Sequence, residues 1–310
     1  MRFDIIRKRK WFFLLSGTIT VAGLIVMLIF GLNLGPDFKS GARIQVELNQ
    51  SFTSSQVRQV FVSANLPIGQ GSITAAGKNN QMAVITLPYT INVVQQTKLQ
   101  NQIAKVFPKS VGKNHSVGIE VSTVDPIIAQ QQSQTAVWAV IIASIGIVIY
   151  VTLRFEYRFA VSGIIALLHD AFIVISVFAL LRITVDLPFI AAVLTIVGYS
   201  INDTIVIFDR IRENFKESKG KIKTLHELET LVDNSLWQTM NRSINTVMTV
   251  LFAAICLYFF GGDPIHNFTF ALLVGLISGA YSSIFIASPI WVVWRSRSLG
   301  KEKKKKPSVA

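Results

Sequence analysis

Apolar residues in this chain come in long unbroken runs, not in the short alternations of a soluble domain. Six runs, at residues 11–31, 134–153, 159–181, 187–208, 243–260 and 267–294, each reach or approach the roughly 20 residues a helix needs to cross a bilayer's hydrocarbon core. The last run contains Pro289, which predicts a tilt or a kink. Their spacing is lopsided: one run, a long polar segment, then five runs in close succession.

Within the polar segment the period changes. Residues 42–48 alternate apolar and polar strictly, as a half-buried strand does. Thr53-x-x-Gln56 reads as a capping box, and Val57, Val60, Phe61 and Ala64 follow at helical spacing. Residues 72–76 and 82–87 flank the turn-like Gly77-Lys78-Asn79-Asn80, which predicts a hairpin. Asn92 precedes a second helix with Leu99, Ile103 and Val106 on one side, and Val117, Ile119, Val121 and Thr123 alternate as a last strand. The order β-α-β-β-α-β is the ferredoxin-like split βαβ pattern, and Asp125-Pro126 leads back into the membrane.

The predicted fold class is therefore a polytopic α-helical membrane protein with six transmembrane helices and a small extracytoplasmic α+β domain between helices 1 and 2. The expected divisions are 1–31 for the N-terminus and first helix, 32–133 for the ferredoxin-like domain, 134–294 for a five-helix bundle and 295–310 for a basic tail. Inside the bundle, residues 209–242 are charged and amphipathic, with Leu225, Leu228, Leu231 and Val232 at helical spacing. They predict an interfacial helix lying under the bundle, with an ordinary helical connector as the alternative.

Composition agrees: 51% of residues are hydrophobic and 15% are charged, a membrane balance. The net charge of +13 would suit nucleic acid, but its distribution argues against that partner. Placing the N-terminus in the cytoplasm puts most Lys and Arg of the short loops on that side, which predicts both termini inside and a multi-pass protein of the cell membrane. The first run follows Arg7-Lys8-Arg9-Lys10 but is too long for a signal peptide and lacks a small-residue cleavage site, so it reads as a retained anchor. Lys303, Lys304, Lys305 and Lys306 read as a positive-inside anchor that can also touch anionic lipid or a ribosome. Cys256 is the single cysteine, so no intrachain disulfide or cysteine metal cluster forms.

Candidate chemistry lies where ionisable groups interrupt the runs. Asp203, in the fourth run, sits where a carboxylate costs about 2.5–3.5 kcal/mol at the centre of a membrane helix. Ser200, three residues earlier, shares its face, and Asn202 and Thr204 flank it. Gly198 predicts close approach of a neighbouring helix. His169 and Asp170 place two ionisable groups deep in the third run, as a proton relay, a latch, or simply two satisfied side chains. Arg242, Asn245, Thr246 and Thr249 form one polar stripe at the start of the fifth, and Arg242 is the natural counter-charge for Asp203 if the helices meet. Gly35-Pro36-Asp37-Phe38-Lys39-Ser40-Gly41 reads on its own as a turn after the first helix. The four histidines show no zinc-ligand spacing, and no phosphate loop or nucleophile elbow is present. No metal, cofactor or enzymatic activity is expected, and energy would come from a partner or from the proton-motive force.

Together these features resemble the SecF family. The resemblance rests on the one-plus-five helix layout, the Gly35–Gly41 motif, Ala166-Leu167-Leu168-His169-Asp170, the run over residues 197–214, and Asn241-Arg242-Ser243-Ile244-Asn245-Thr246. One departure is Ser40-Gly41, where the family often has Gly-Gly. The resemblance implies a resistance-nodulation-division half-bundle that pairs with SecD, assists the SecYEG channel and the SecA motor, and helps draw the emerging preprotein outward on proton flow. Carried onto this sequence, Asp203 and Arg242 become a proton-path pair, with His169, Asp170, Asn202, Ser200 and Asn245 around them and Gly35, Asp37, Phe38 and Gly41 as the family motif after helix 1. Two rivals remain: a half-transporter for lipids or small molecules, and a translocon scaffold that moves no protons.

Overall fold

The structure, a computed structural model, describes residues 4–68, 73–76, 81–111, 117–218, 222 and 224–304. The chain forms two compact units. One holds the helix α1 (Arg9–Phe30), α5 (Pro126–Arg154) from Ala139 onward, α6 (Tyr157–Leu181), α7 (Leu187–Glu217) from Pro188 onward, α8 (Leu225–Phe260), α9 (Asp263–Ser282) and α10 (Ser288–Lys304). The other is an αβ unit of residues 34–138 together with Thr184–Leu187.

Among the described residues, six helical segments are long and apolar enough to cross a membrane, the last running through α9 and α10. That last segment is interrupted by a π-helical turn, Ser283–Ala287. Pro289 has no N–H for the carbonyl of Phe285, so the α pattern cannot run through it. The wider π turn ends two residues before the proline, and Ser288 Oγ donates to the Ser283 carbonyl at 3.1 Å.

The expected interfacial helix is corrected. α7 and α8 run as continuous helices of 31 and 36 residues, so residues 209–242 are mainly their extensions and not a helix apart. The reason is packing: Leu228, Val232 and Leu236 of α8 join Ile6, Phe208 and Trp291 in the bundle's own core. The chain before α1 is strapped to α8. Ile5 and Ile6 are buried, Ile6 N donates to Asp233 Oδ1 at 3.0 Å, and Arg9 pairs with Glu229.

In the αβ unit the elements run β1 (Gly41–Glu47), α3 (Ser54–Ser63), β2 (Ile73–Ala76), β3 (Met82–Leu87), α4 (Val93–Val106) and β4 (Ile119–Val124), after the single turn α2 (Pro36–Lys39). The sheet order is β2-β3-β1-β4, antiparallel throughout. The hairpin turn expected at Gly77–Asn80 lies outside the described residues. Both helices start on capping boxes, at Thr53 with Gln56 and at Asn92 with Gln95, each satisfying N–H groups that the first turn leaves free. Ala42, Ile44 and Val46, alternate residues of β1, bury one sheet face. Phe61 of α3 and Leu99 and Ile103 of α4 fill the same core.

Candidate functional site

Among the described residues, the bundle's most enclosed carboxylate is Asp170 on α6, with none of its surface exposed. Ser200 of α7 and Ser282 of α9 each donate to its Oδ2 at 2.6 Å. Ser278, one turn before Ser282, donates to Oδ1 at 2.7 Å. Nδ1 of His169 lies 3.4 Å from Oδ1. A carboxylate offers about four lone-pair sites, so these contacts nearly fill it and tie three helices to one residue.

Glycines permit that convergence. A Cβ on Gly275 of α9 would stand 2.3 Å from Ile196 Cδ1 of α7, and one on Gly279 would stand 3.2 Å from Ser200 Cβ. α9 therefore lies close enough on α7 for Ser278 and Ser282 to reach Asp170. Close approach was expected at Gly198 instead, but a Cβ there would meet nothing within 4 Å. Hydroxyl contacts extend the cluster: Thr204 Oγ1 and Ser283 Oγ are 2.9 Å apart. On α9, Tyr281 accepts from Ser16 Oγ and donates to the Phe12 carbonyl of α1, each at 3.2 Å.

Asp203 lies one turn along α7 from Ser200 and has a different environment. Its Oδ2 is buried without a hydrogen-bond partner, as is Ser243 Oγ on α8. The Ser243 and Ser283 hydroxyls approach the carboxylate as possible donors and Arg242 is near enough to act on it electrostatically, yet among the described residues Asp203 and Arg242 form no salt bridge. A space of 10 Å³ beside Asp203, lined also by Ser200, Val247 and Gly279, is about the smallest that admits a water molecule. Asn202, Arg242 and Asn245 are exposed on this chain's surface. The α8 stripe satisfies part of itself, Thr246 donating to the Arg242 carbonyl and Thr249 to the Thr246 carbonyl, both at 2.8 Å.

The motif after helix 1 holds a loop. Gly35 N donates to the Val185 carbonyl at 2.8 Å, and Asp37 Oδ2 accepts from Leu187 N at 3.0 Å, capping a free N–H at the start of α7. The half-buried Phe38 closes the α2 turn, its N donating to the Gly35 carbonyl at 3.1 Å. Gly41 has φ +133°, and a Cβ there would stand 2.1 Å from the Leu87 carbonyl oxygen, so the position accepts only glycine.

Sequence reasoning missed Ser278 and Ser282. Four apart in an apolar run and interleaved with Gly275 and Gly279, they carry the small-residue signature of a helix contact. Among the described residues, no group of three or more His, Cys, Asp and Glu gathers as a metal site.

Residues 103–297 match the family described as "Protein export membrane protein SecD/SecF, C-terminal". The chain is 59% identical to the protein translocase subunit SecF of Alicyclobacillus acidocaldarius, over 97% of this chain and 95% of that one. It is 44% identical to protein translocase subunit SecDF of Bacillus subtilis, over 97% of this chain but only 39% of the relative. The crystal structure of SecDF from Thermus thermophilus, described as a translocon-associated membrane protein, superposes with a TM-score of 0.83 at 30% identity, over 95% of this chain and 39% of that one. Six apolar helical segments and near full-length similarity to translocase subunits converge on one assignment: this chain is a multi-pass membrane protein of the SecD/SecF family.

Proposed function

We propose that this chain is the SecF-type accessory subunit of the Sec protein translocase and that, with a SecD-type partner, it couples the proton-motive force to preprotein movement. Support comes from translocase subunits similar over nearly the full chain, and from relatives in which SecD and SecF are one polypeptide. In this reading both termini are cytoplasmic, and residues 32–133 form an extracytoplasmic ferredoxin-like domain that engages the emerging chain. The β2-β3-β1-β4 antiparallel order supports that fold. SecYEG and SecA are the expected neighbours, and the basic tail lies against anionic lipid or the ribosome.

The observation that carries the coupling is Asp203, whose buried Oδ2 lacks a hydrogen-bond partner. A buried carboxyl oxygen without a donor is costly, and a group kept in that condition suits one that exchanges a proton. Asn202, Arg242 and Asn245 are exposed on helices that span the membrane. Polar side chains at that depth are stable against another helix and not against lipid, so this face suits the partner subunit. In the assembly, Arg242 would act on Asp203 as the helices move, without a fixed ion pair.

The test is pulse-chase export of a secreted protein in cells whose only copy carries Asp203→Asn, with subunit level and partner co-purification measured alongside. Loss of export with the complex intact is expected. Normal export with the same complex would leave the scaffold reading ahead.

A further inference from the structure

The ends of α5, α6, α7 and α10 line a cavity of 240 Å³ that the Asp203 site does not use. Four cations face it: Arg154 at the end of α5, Arg212 and Lys216 one turn apart on α7, and Arg295 on α10. Glu156 is its single carboxylate. Glu156 is 3.8 Å from Arg158, and Arg154 pairs with Asp209 at 2.8 Å. Among the described residues, Arg212 and Lys216 form no salt bridge, so the lining keeps an excess of positive charge.

The rest of the lining is aromatic. Trp291 stacks on Phe159 with centroids 4.5 Å apart and planes 16° apart, and Phe215 meets it edge-on at 6.0 Å. The Arg295 guanidinium lies 5.0 Å from the Phe215 centroid. Trp291 is only 1% exposed, yet its Nε1 is a buried donor without a hydrogen-bond partner. An indole N–H can only donate, and a buried one usually finds an acceptor. Arg212 and Lys216, which form no salt bridge among the described residues, in a cavity that Trp291 also lines, suit an anionic oxygen.

Location narrows the ligand. Arg154 ends one apolar helix and Tyr157 starts the next, so the cavity sits where spans leave the hydrocarbon, at headgroup depth. Just before Arg154, α5 exposes Ile149 (53%), Tyr150 (53%) and Leu153 (83%), an apolar face along which acyl chains can lie. We propose that this cavity binds the phosphate of an anionic phospholipid headgroup. Free phosphate shares the chemistry but would leave that apolar face unused.

The experiment uses the full-length chain in a detergent micelle, titrated with phosphatidylglycerol, phosphatidylcholine or inorganic phosphate and read by native mass spectrometry. Phosphatidylglycerol should be retained in preference to phosphatidylcholine. The double variant Arg212→Gln/Lys216→Gln should bind it roughly tenfold or more weakly, as two interfacial cations imply. The charge-matched control Lys98→Gln/Lys105→Gln should bind as the parent does. Should the double variant lose its native elution volume, Trp291→Phe carries the test. It keeps an aromatic ring against Phe159 but removes the indole N–H together with part of the ring, so its native elution volume is checked too, and the expected loss is about fivefold. Equal retention of the two lipids, or unchanged affinity in the folded variants, overturns the proposal. Inorganic phosphate binding as tightly as phosphatidylglycerol overturns the lipid assignment and leaves a free-anion site.

Discussion

Asp170 and Asp203 are two carboxylates of one bundle, and Ser200 and its neighbours lie beside both. Asp170 is wholly buried and takes three serine hydroxyls within 2.7 Å. Asp203 is less enclosed, with one oxygen lacking a donor and no ion pair. The saturated group has its requirements met by its own chain and holds α6, α7 and α9 together. The unsaturated one has requirements that this chain leaves open, beside an exposed polar stripe. On the function proposed above, saturation would mark a fastening and deficit a working group, although an ionisable residue in an apolar run looks equally costly in both cases.

That contrast fails if the two carboxylates respond alike to removal. Asp170→Ala should give the largest loss of stability. Three hydroxyls lose their acceptor together, at about 0.6 kcal/mol for an average intramembrane hydrogen bond and more where a group stays unsatisfied. About 2–4 kcal/mol is expected, read as a fall in thermal midpoint in detergent. A shift no larger than that of Asp203→Asn would remove Asp170 as the fastening.

Gly275→Ala should cost less, about 1–3 kcal/mol by overpacking, because its Cβ would stand 2.3 Å from Ile196 Cδ1. It sharpens the comparison by lifting α9, with Ser278 and Ser282, off Asp170. Adding Ile196→Ala should restore part of the loss, and an unrescued double variant would place the strain elsewhere. Asp203→Asn should have the smallest effect on stability, about 1 kcal/mol or less, because it is isosteric and Oδ2 makes no hydrogen bond in this chain, while abolishing export. In export assays, its effect should be non-additive with that of Arg242→Gln, since residues in one coupled site do not act independently. Strict additivity would separate the two.

The long apolar runs were legible because membrane spans depend on local length and composition. The starts of α3 and α4 were legible because a capping box needs only residues three apart. β1 and β4 were legible from alternation, and β2 and β3 from the turn-like residues between them. The interfacial helix was misread because amphipathic spacing is the same for a helix on a membrane surface and for one whose apolar side, here Leu228, Val232 and Leu236, enters the bundle core. Gly198 was misread because glycine permits close approach without saying where a neighbour lies. The approach occurs at Gly275 and Gly279.

By itself, the sequence determined how many segments are apolar enough to span, where ionisable residues interrupt them, and the strand and helix order of the polar segment. These follow from periodicity, solvation cost and short-range hydrogen bonding, all of which act along the chain. Only the tertiary structure decided that Asp170 has three serine donors, that Asp203 and Arg242 form no salt bridge among the described residues, and that Asp37 caps the start of α7. Each depends on side chains 30 to 150 positions apart. Their meeting is set by where small residues let helices touch, and no local pattern encodes which helices those are.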